Sequence, residues 1–341
     1  MLRYACHRIA LMVPTLLAVS ILIFIIIHLP PGDYLSNRID ELRTQGDAAS
    51  IQKLEFYRHE FHLDRPLIEQ YGIWIGLWPG HSGFSGILQG NLGWSFEHEA
   101  PVAQVVGDGF VLTILLNAAV VLFIYVVAFP IGIYSATRQY SWGDYGFTLL
   151  GYLGLAIPNF LLGLVLLYYA NRWFGLSIGG LMDPEYMGKP WSWTKLGSVA
   201  SHLAIPVIVI GTSGTAAIIR RLRANLLDEL RKPYVVTARA KGMPEGRLLR
   251  KYPLRMALNP FVADIGNLLP QLVSGSVIVS VVLNLPTIGP VLLSALKSQD
   301  LYLSGFILLF VSVLTLVGML ISDLLLGWID PRIRMDGEAG A

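Results

Sequence analysis

Long stretches without a single formal charge are what most constrain this chain. Cutting it at every Lys, Arg, Asp and Glu leaves seven charge-free runs that could each cross a bilayer, where random placement of the charges would leave mostly short ones. A hydrocarbon core of about 30 Å takes roughly 20 apolar residues as helix, and only helices or closed barrels satisfy their own backbone there. An all-α integral membrane protein is therefore expected. One large soluble core is excluded, since 54% of the 341 residues are hydrophobic and 14% charged, against roughly 25% charged in soluble domains.

Six of the runs read as membrane helices: 9–32, 109–137, 145–171, 196–219, 265–296 and 301–322. The seventh, 70–96, holds seven glycines and Pro79. A helix there would be weak and its polar residues would face lipid, so it is placed outside the bilayer. Charge asymmetry supports that choice, because short cytoplasmic loops collect Lys and Arg. With six spans and both termini inside, the tails hold Arg3, Arg8, Arg332 and Arg334, the 138–144 loop holds Arg138, and the stretch from Arg220 to Arg255 holds eleven more, sixteen of the twenty-five basic residues in all. The 33–108 segment carries five basic and eleven acidic residues, as an outer segment can. A seventh span would put the basic loop outside.

Three regions are expected. Residues 1–108 form the first membrane helix and a large outer segment, 109–325 the other five helices with a basic inner loop over 220–258, and 326–341 an inner tail that frays. Within the outer segment, Ala48–Leu63 has helical composition and Pro66 opens a second helical stretch through Trp78, after which the glycines force an irregular path. The first run lacks a small-residue cleavage site and reads as a retained span.

Chemistry of the usual kinds is scarce. No Gly-x-x-x-x-Gly-Lys-Ser/Thr loop is present to cradle a nucleotide phosphate, so any ATP would be bound by another polypeptide. Cys6 is the single cysteine, which excludes an intrachain disulfide or a Cys cluster, and the spans carry no Cys or His group for a metal. Gly211-Thr212-Ser213-Gly214 invites an intramembrane serine-protease reading, but all seven histidines lie at or before position 202, and His202 is eleven residues upstream of Ser213, about 16 Å along the same helix. Small residues at a tight helix crossing explain these positions better. His59-Glu60-Phe61-His62 has the wrong spacing for a zinc-protease motif and is expected on a solvated face. Asp144 and Asp323, close to the interfaces, are expected to be structural.

The basic loop is the most informative stretch. Pro233 suits a first helical turn, Gly242 a C-terminal cap and Pro244 a stop, which isolates a helix of about 13 Å. Ala238, Ala240 and Gly242 are small while Arg239 and Lys241 are charged, so the helix could settle its backbone into a groove on a partner. Contact with lipid headgroups is the competing reading.

Here the residues resemble a known family. Tyr234-Val-Val-Thr-Ala-Arg-Ala-Lys-Gly242, with Leu248–Arg255 and Asn259-Pro260, is similar to the inner loop of type I ABC importer permeases that work with a binding protein, and most closely to their oligopeptide, dipeptide and nickel branch. Other matching blocks run along nearly the whole chain: Pro31-Gly32-Asp33, Leu63-Asp64-Arg65-Pro66, Gln70-Tyr71, Gly90–Ser95, Pro101-Val102, Ile157-Pro158-Asn159-Phe160 and Asp330-Pro331-Arg332. The general Glu-Ala-Ala of such loops is Val236-Thr237-Ala238 here, which narrows the match to the peptide branch. Asn91 replaces an aspartate of the pattern, Pro253 falls inside the expected second loop helix, and 172–198 is longer than in the simplest members.

The resemblance implies a multi-pass permease subunit in a bacterial inner membrane. Its partners would be a second similar permease, two ATPase domains or subunits that use ATP and magnesium, a periplasmic substrate-binding protein and membrane lipid, with no nucleic acid. The chain itself would bind no cofactor and catalyse nothing. Coupling to the ATPase would fall to Tyr234 and to Ala238, Arg239, Ala240, Lys241, Gly242, Met243, Pro244 and Glu245, the two basic side chains meeting ATPase carboxylates. Peptide is the implied cargo, with nickel, glutathione and opines as alternatives.

A further expectation is independent of the family. Asp264, Asn267, Gln271 and Ser274 fall within about 80° of arc on the fifth span, a polar stripe on an apolar helix. Such a stripe either lines a translocation pathway or bonds neighbouring helices, and both readings stay open at this stage. A membrane enzyme lacks a paired nucleophile and base, and a self-contained proton-coupled carrier would have Asp264 as its one deep acid.

Overall fold

A computed structural model of the chain describes residues 2–45, 48–81, 83–175 and 179–329. Among these, helices follow one another as α1 (Leu2–His28), α2 (Tyr34–Gln45), α3 (Ala48–Glu60) and α4 (Leu67–Ile75). A short antiparallel pair, β1 (Trp94–Ser95) and β2 (Ala100–Pro101), precedes α5 (Val102–Thr137), α6 (Trp142–Ala156), α7 (Asn159–Phe174) and α8 (Trp193–Leu230). Then come α9 (Pro233–Ala240), α10 (Glu245–Lys251), α11 (Pro253–Val282), α12 (Ile288–Ser298) and α13 (Leu301–Ile329). The described parts of 10–110 and 288–313 form one compact unit, and those of 1–9, 111–287 and 314–341 another.

The helical, membrane-type architecture expected from the charge-free runs is present. α1, α5, α8 and α13 are each long and apolar enough to cross a membrane. The third expected span is broken: Ile157 is extended (φ −83°, ψ 123°) ahead of Pro158, and α6 meets α7 at 103°. A residue before proline is pushed out of the helical region, which is the physical reason for the break. The fifth expected span, 265–296, is also corrected. α11 begins at Pro253 and has thirty residues, enough to cross, but it stops at Val282, and 288–298 is a separate helix of eleven.

In the unit built from 10–110 and 288–313, α4 buries Trp74 and Ile75 against Ile23 of α1, with Leu308 and Leu309 of α13 alongside. Tyr71 reaches the Ser20 hydroxyl at 2.8 Å. Gly76, left-handed at φ 96°, ends α4 after nine residues, about 14 Å of rise. Among the described residues, 70–96 therefore holds no helix long enough to cross. Near the end of this stretch Gly93 permits a close approach: at φ +86°, a Cβ there would lie 2.3 Å from the Tyr302 ring. Phe61, Phe96 and Tyr302 close this corner with ring centroids 5.2 to 6.0 Å apart.

In the other unit, α5, α7, α8 and α11 share a core that includes Leu112, Ile124, Leu167, Leu222 and Phe261. Lipid tails are as apolar as leucine, so close fit rather than escape from water has to hold such helices together. The small residues mark where that fit is tightest. A Cβ on Gly211 would fall 2.5 Å from Phe123 and one on Gly214 2.8 Å from Ile124, while Gly154 sits under Thr212 and Gly151 under Ala216. The reading of this glycine-rich stretch as a tight crossing holds.

Candidate functional site

The loop between α8 and α11 folds as a helical hairpin. Lys232 leads in extended (φ −67°, ψ 145°), and Pro233 occupies the first turn, where a missing N–H costs nothing. At the other end the Gly242 N–H donates to the Arg239 carbonyl at 2.9 Å and the Met243 N–H to that of Ala238 at 3.3 Å. This is a Schellman cap, and it needs the left-handed φ of +77° that Gly242 adopts. Val235 and Leu248 are fully buried between α9 and α10, with Ala238 inside and Met243 and Tyr252 packed around them. Pro253, unexpected within a helix, starts α11 instead, after Tyr252 has broken the chain at φ −119°, ψ −81°.

The outward face carries Tyr234, 39% exposed, and Val236, 54% exposed, together with Thr237, Ala240, Lys241 and Gly242. Two expectations need adjustment. Ala238 faces inward, 9% exposed, so its small size lets α9 close onto α10 rather than touch a partner. Arg239, expected to meet a partner's carboxylate, already grips Glu245 of its own chain through Nε at 2.6 Å and Nη2 at 3.2 Å. That grip holds the Glu245 carboxyl below its usual range. Lys241 has no ion pair among the described residues, and a Cβ added to Gly242 would meet nothing within 4 Å. The Tyr234 hydroxyl donates to Glu229, and burial together with that carboxylate pushes its phenol up to about 12.

Asp264 is no isolated acid. Arg221 of α8 reaches it at 2.6 Å and lies over the Phe261 ring at 4.9 Å from the centroid. The pair opens onto a cavity of about 690 Å³ lined also by Gly214, Ala217, Arg220 and Leu268. Asn267, Gln271 and Ser274 follow on the same helix, but their side chains lie outside the described ones.

Elsewhere the structure separates the pieces of the rejected chemistries. Ser213 accepts the Asn159 amide at 3.3 Å, whereas His202 bonds the Ser198 carbonyl at 2.8 Å. His59 pairs with Asp64 at 2.9 Å on the surface. His62, contrary to the solvated face expected for it, is buried and its Nε2 accepts the His81 N–H at 3.1 Å. Asp144 and Asp323 are structural as expected: Arg223 forks onto Asp144 at 3.0 and 2.8 Å, and Arg8 reaches Asp323 at 3.1 Å. Asp330-Pro331-Arg332 lies outside the described residues.

One cluster escaped the sequence reading. Asp300, fully buried at the start of α13, accepts the Ser95 hydroxyl at 2.6 Å and the backbone N–H groups of Glu97 at 3.2 Å and Leu303 at 3.3 Å. Glu97 in turn accepts the hydroxyls of Ser294 and Ser298 at 2.8 and 2.6 Å. Burial raises the Asp300 carboxyl above its usual range despite these donors. The cluster latches the β-hairpin of the outer segment onto α12 and α13. Nothing local in the sequence links positions 205 residues apart.

Set beside known proteins, residues 128–335 match the family model described as the binding-protein-dependent transport system inner membrane component. Residues 1–117 match the model for the N-terminal part of such membrane components. Among curated relatives, the oligopeptide transport system permease protein AppB of Bacillus subtilis is 31% identical, over 98% of this chain and 100% of its own length. A putative peptide permease protein of Brucella ovis is 33% identical over the same shares of both chains. The glutathione transport system permease protein GsiC of Pectobacterium atrosepticum is 33% identical over 98% of this chain and 99% of its own.

Proposed function

Because this chain belongs to the family of inner membrane components of binding-protein-dependent transport systems, we propose that it is a permease subunit of an ATP-driven importer that carries oligopeptides, dipeptides or peptide-like compounds. It would cross the membrane six times with both termini inside and pair with a second, similar permease so that cargo passes between the two. Glutathione, carried by one relative's system, is a peptide and falls in the same class. Two ATPase domains that use ATP and magnesium and a periplasmic binding protein complete the assembly.

The observation that carries this reading is the punctuation of α9. Its proline start, glycine cap and buried Val235 and Ala238 make a rigid hairpin that presents Tyr234, Val236, Ala240, Lys241 and Gly242 outward. A loop that only met solvent would need none of this rigidity. We assign this face to docking on the ATPase. Closure of two ATPase domains on ATP would draw the paired loops together and turn the cavity outward, and hydrolysis would reset it.

The cavity beside Arg221 and Asp264 suits the cytoplasmic half of the pathway, and the stripe through Asn267, Gln271 and Ser274 continues it along α11. Two opposite charges on facing helices match the two ends of a zwitterionic peptide, which favours pathway over glue for Asp264. The test is Gly242→Leu in the full importer. Membrane insertion should persist while ATP hydrolysis separates from uptake. Normal substrate-stimulated hydrolysis and uptake would end the docking assignment. Gln271→Leu with Ser274→Leu should lower uptake without blocking assembly, and unchanged kinetics would return the stripe to helix packing. Uptake that collapses with a proton uncoupler at constant ATP would favour a carrier instead.

A further inference from the structure

A second hollow, between α6 and α8, belongs neither to the docking face nor to the Asp264 cavity, although Arg220 borders both. It encloses about 250 Å³. The Asp144–Arg223 fork lines it, Gly151 and Ala216 bring its two walls close together, and exposed Tyr145, Tyr152 and Arg220 stand at its rim. The rim is strongly aromatic and open: Tyr140 is 69%, Tyr145 57% and Tyr152 55% exposed, with Trp142 beside them at 92%.

Charge and level point to one kind of occupant. Asp144 neutralises Arg223, whereas Arg220 is exposed and has no acidic partner among the described residues. It stands on a membrane helix, about 15 Å short of the end at Leu230. An uncompensated arginine there is costly unless it reaches water or an anion. Tyrosine and tryptophan gather where headgroups begin, and basic pockets between helices on the cytoplasmic side suit anionic headgroups. Below the rim, Leu155 lines the hollow, and Leu149 and Leu153 stand exposed on the neighbouring side of α6. A phosphate alone would leave that apolar run unused.

We propose that this hollow binds one anionic phospholipid, its phosphodiester on Arg220, its glycerol oxygens accepting from the tyrosine hydroxyls and one acyl chain lying along Tyr152 and Leu155. The site rests on the orientation adopted above, which puts this end of α8 at the inner leaflet. The complete importer is reconstituted in equal phosphatidylglycerol and phosphatidylcholine, extracted in mild detergent and weighed by native mass spectrometry. Wild type should retain phosphatidylglycerol over phosphatidylcholine, Arg220→Gln should lower that retention at least tenfold, and Arg220→Lys should restore most of it. Equal retention of the two lipids, or retention untouched by Arg220→Gln, overturns the site. If Arg220→Gln does not fold, a photo-crosslinker at Tyr152 decides: labelled phosphatidylglycerol supports the proposal, and a labelled partner polypeptide overturns it. Stabilisation of wild type by inorganic phosphate as strong as that by phosphatidylglycerol would also overturn it. Uptake is scored separately, so normal uptake by wild type that retains no phosphatidylglycerol over phosphatidylcholine removes this site and leaves the transport function standing.

Discussion

Replacing Asp300 by alanine tests how the outer segment is held. The substitution removes three accepted hydrogen bonds at once, from Ser95, Glu97 and Leu303, at a site with no exposure to solvent. It strands two backbone N–H groups, each costing on the order of 1–3 kcal/mol when buried and unpaired. The Leu303 N–H is that of the third residue of α13, so this same loss is the loss of the helix cap and is not added again. Relief of a buried carboxylate offsets part of this, which leaves about 3 kcal/mol. At 1.4 kcal/mol per decade, the opening of the hairpin should become about 150-fold more frequent.

Hydrogen exchange read by mass spectrometry on the reconstituted protein measures that directly, in peptides covering 93–101. Ser95→Ala, which removes the donor to Asp300 and the acceptor of the His98 N–H at 3.2 Å, should cost about 1.5 kcal/mol and roughly tenfold in protection. The double variant should cost less than the two singles together, because they share one bond. Burial raises the Asp300 pKa in the folded chain above 3.8. The stability linked to this group is therefore complete below about 3.8 and is lost as pH rises through the raised value. Acidification across that window should strengthen protection in wild type and leave Asp300→Asn unaffected. Exchange at 93–101 within threefold of wild type in Asp300→Ala would refute the reasoning.

Gly214→Leu should cost at least about 1–3 kcal/mol by overpacking against Ile124, whereas Gly146→Leu, in open space, should not. Equal yields of monodisperse protein from the two would remove the tight crossing from the account. Arg223→Gln leaves Asp144 buried without its cation, a loss of about 3–5 kcal/mol. Adding Asp144→Asn should recover most of the thermal midpoint in detergent, and failure to do so would mean the fork is not what the loss measures. Gly93→Ala must both displace the Tyr302 ring and hold φ +86°, the latter alone about 1–2 kcal/mol. Limited proteolysis should then cut the outer segment sooner, and an unchanged digest would contradict the close packing.

Charge-free runs and charge asymmetry made the membrane helices legible, and proline and glycine punctuation did the same for α9. The signals that end α9, Pro233 and Gly242, act through the backbone within a few residues, so sequence alone could place them. Interruptions inside apolar stretches were harder. Ile157-Pro158 and Leu283–Thr287 carry no charge to mark them, and the breaks they cause were absorbed into single spans. The β1–β2 hairpin went unseen because two-residue strands show no period, whereas α2 carried a legible stripe, Leu35, Ile39 and Leu42 at i, i+4 and i+7, that was passed over. Ala238 looked like a contact for a partner because smallness is the same signal whether a residue faces out or in. Asp300 and Ser95 meet only through the folded chain, and a lone acid after Gln299 gives no hint that it is buried. The Asp264 stripe was visible as an arc of polar residues, while Arg221, its partner, was counted among the basic loop residues.

The continuity of α8 has a mechanical consequence. Its 38 residues, with Pro206 inside them, form one helix that only Arg231 and the extended Lys232 separate from the hairpin at Pro233, a rod of about 57 Å. The tightest clasp on that rod, from Gly211 to Ala216 against Phe123, Ile124, Gly151 and Gly154, falls almost at its midpoint. A bar gripped near its centre behaves as a rocker: a displacement of the Leu230 end would swing the Trp193 end the other way by a comparable distance.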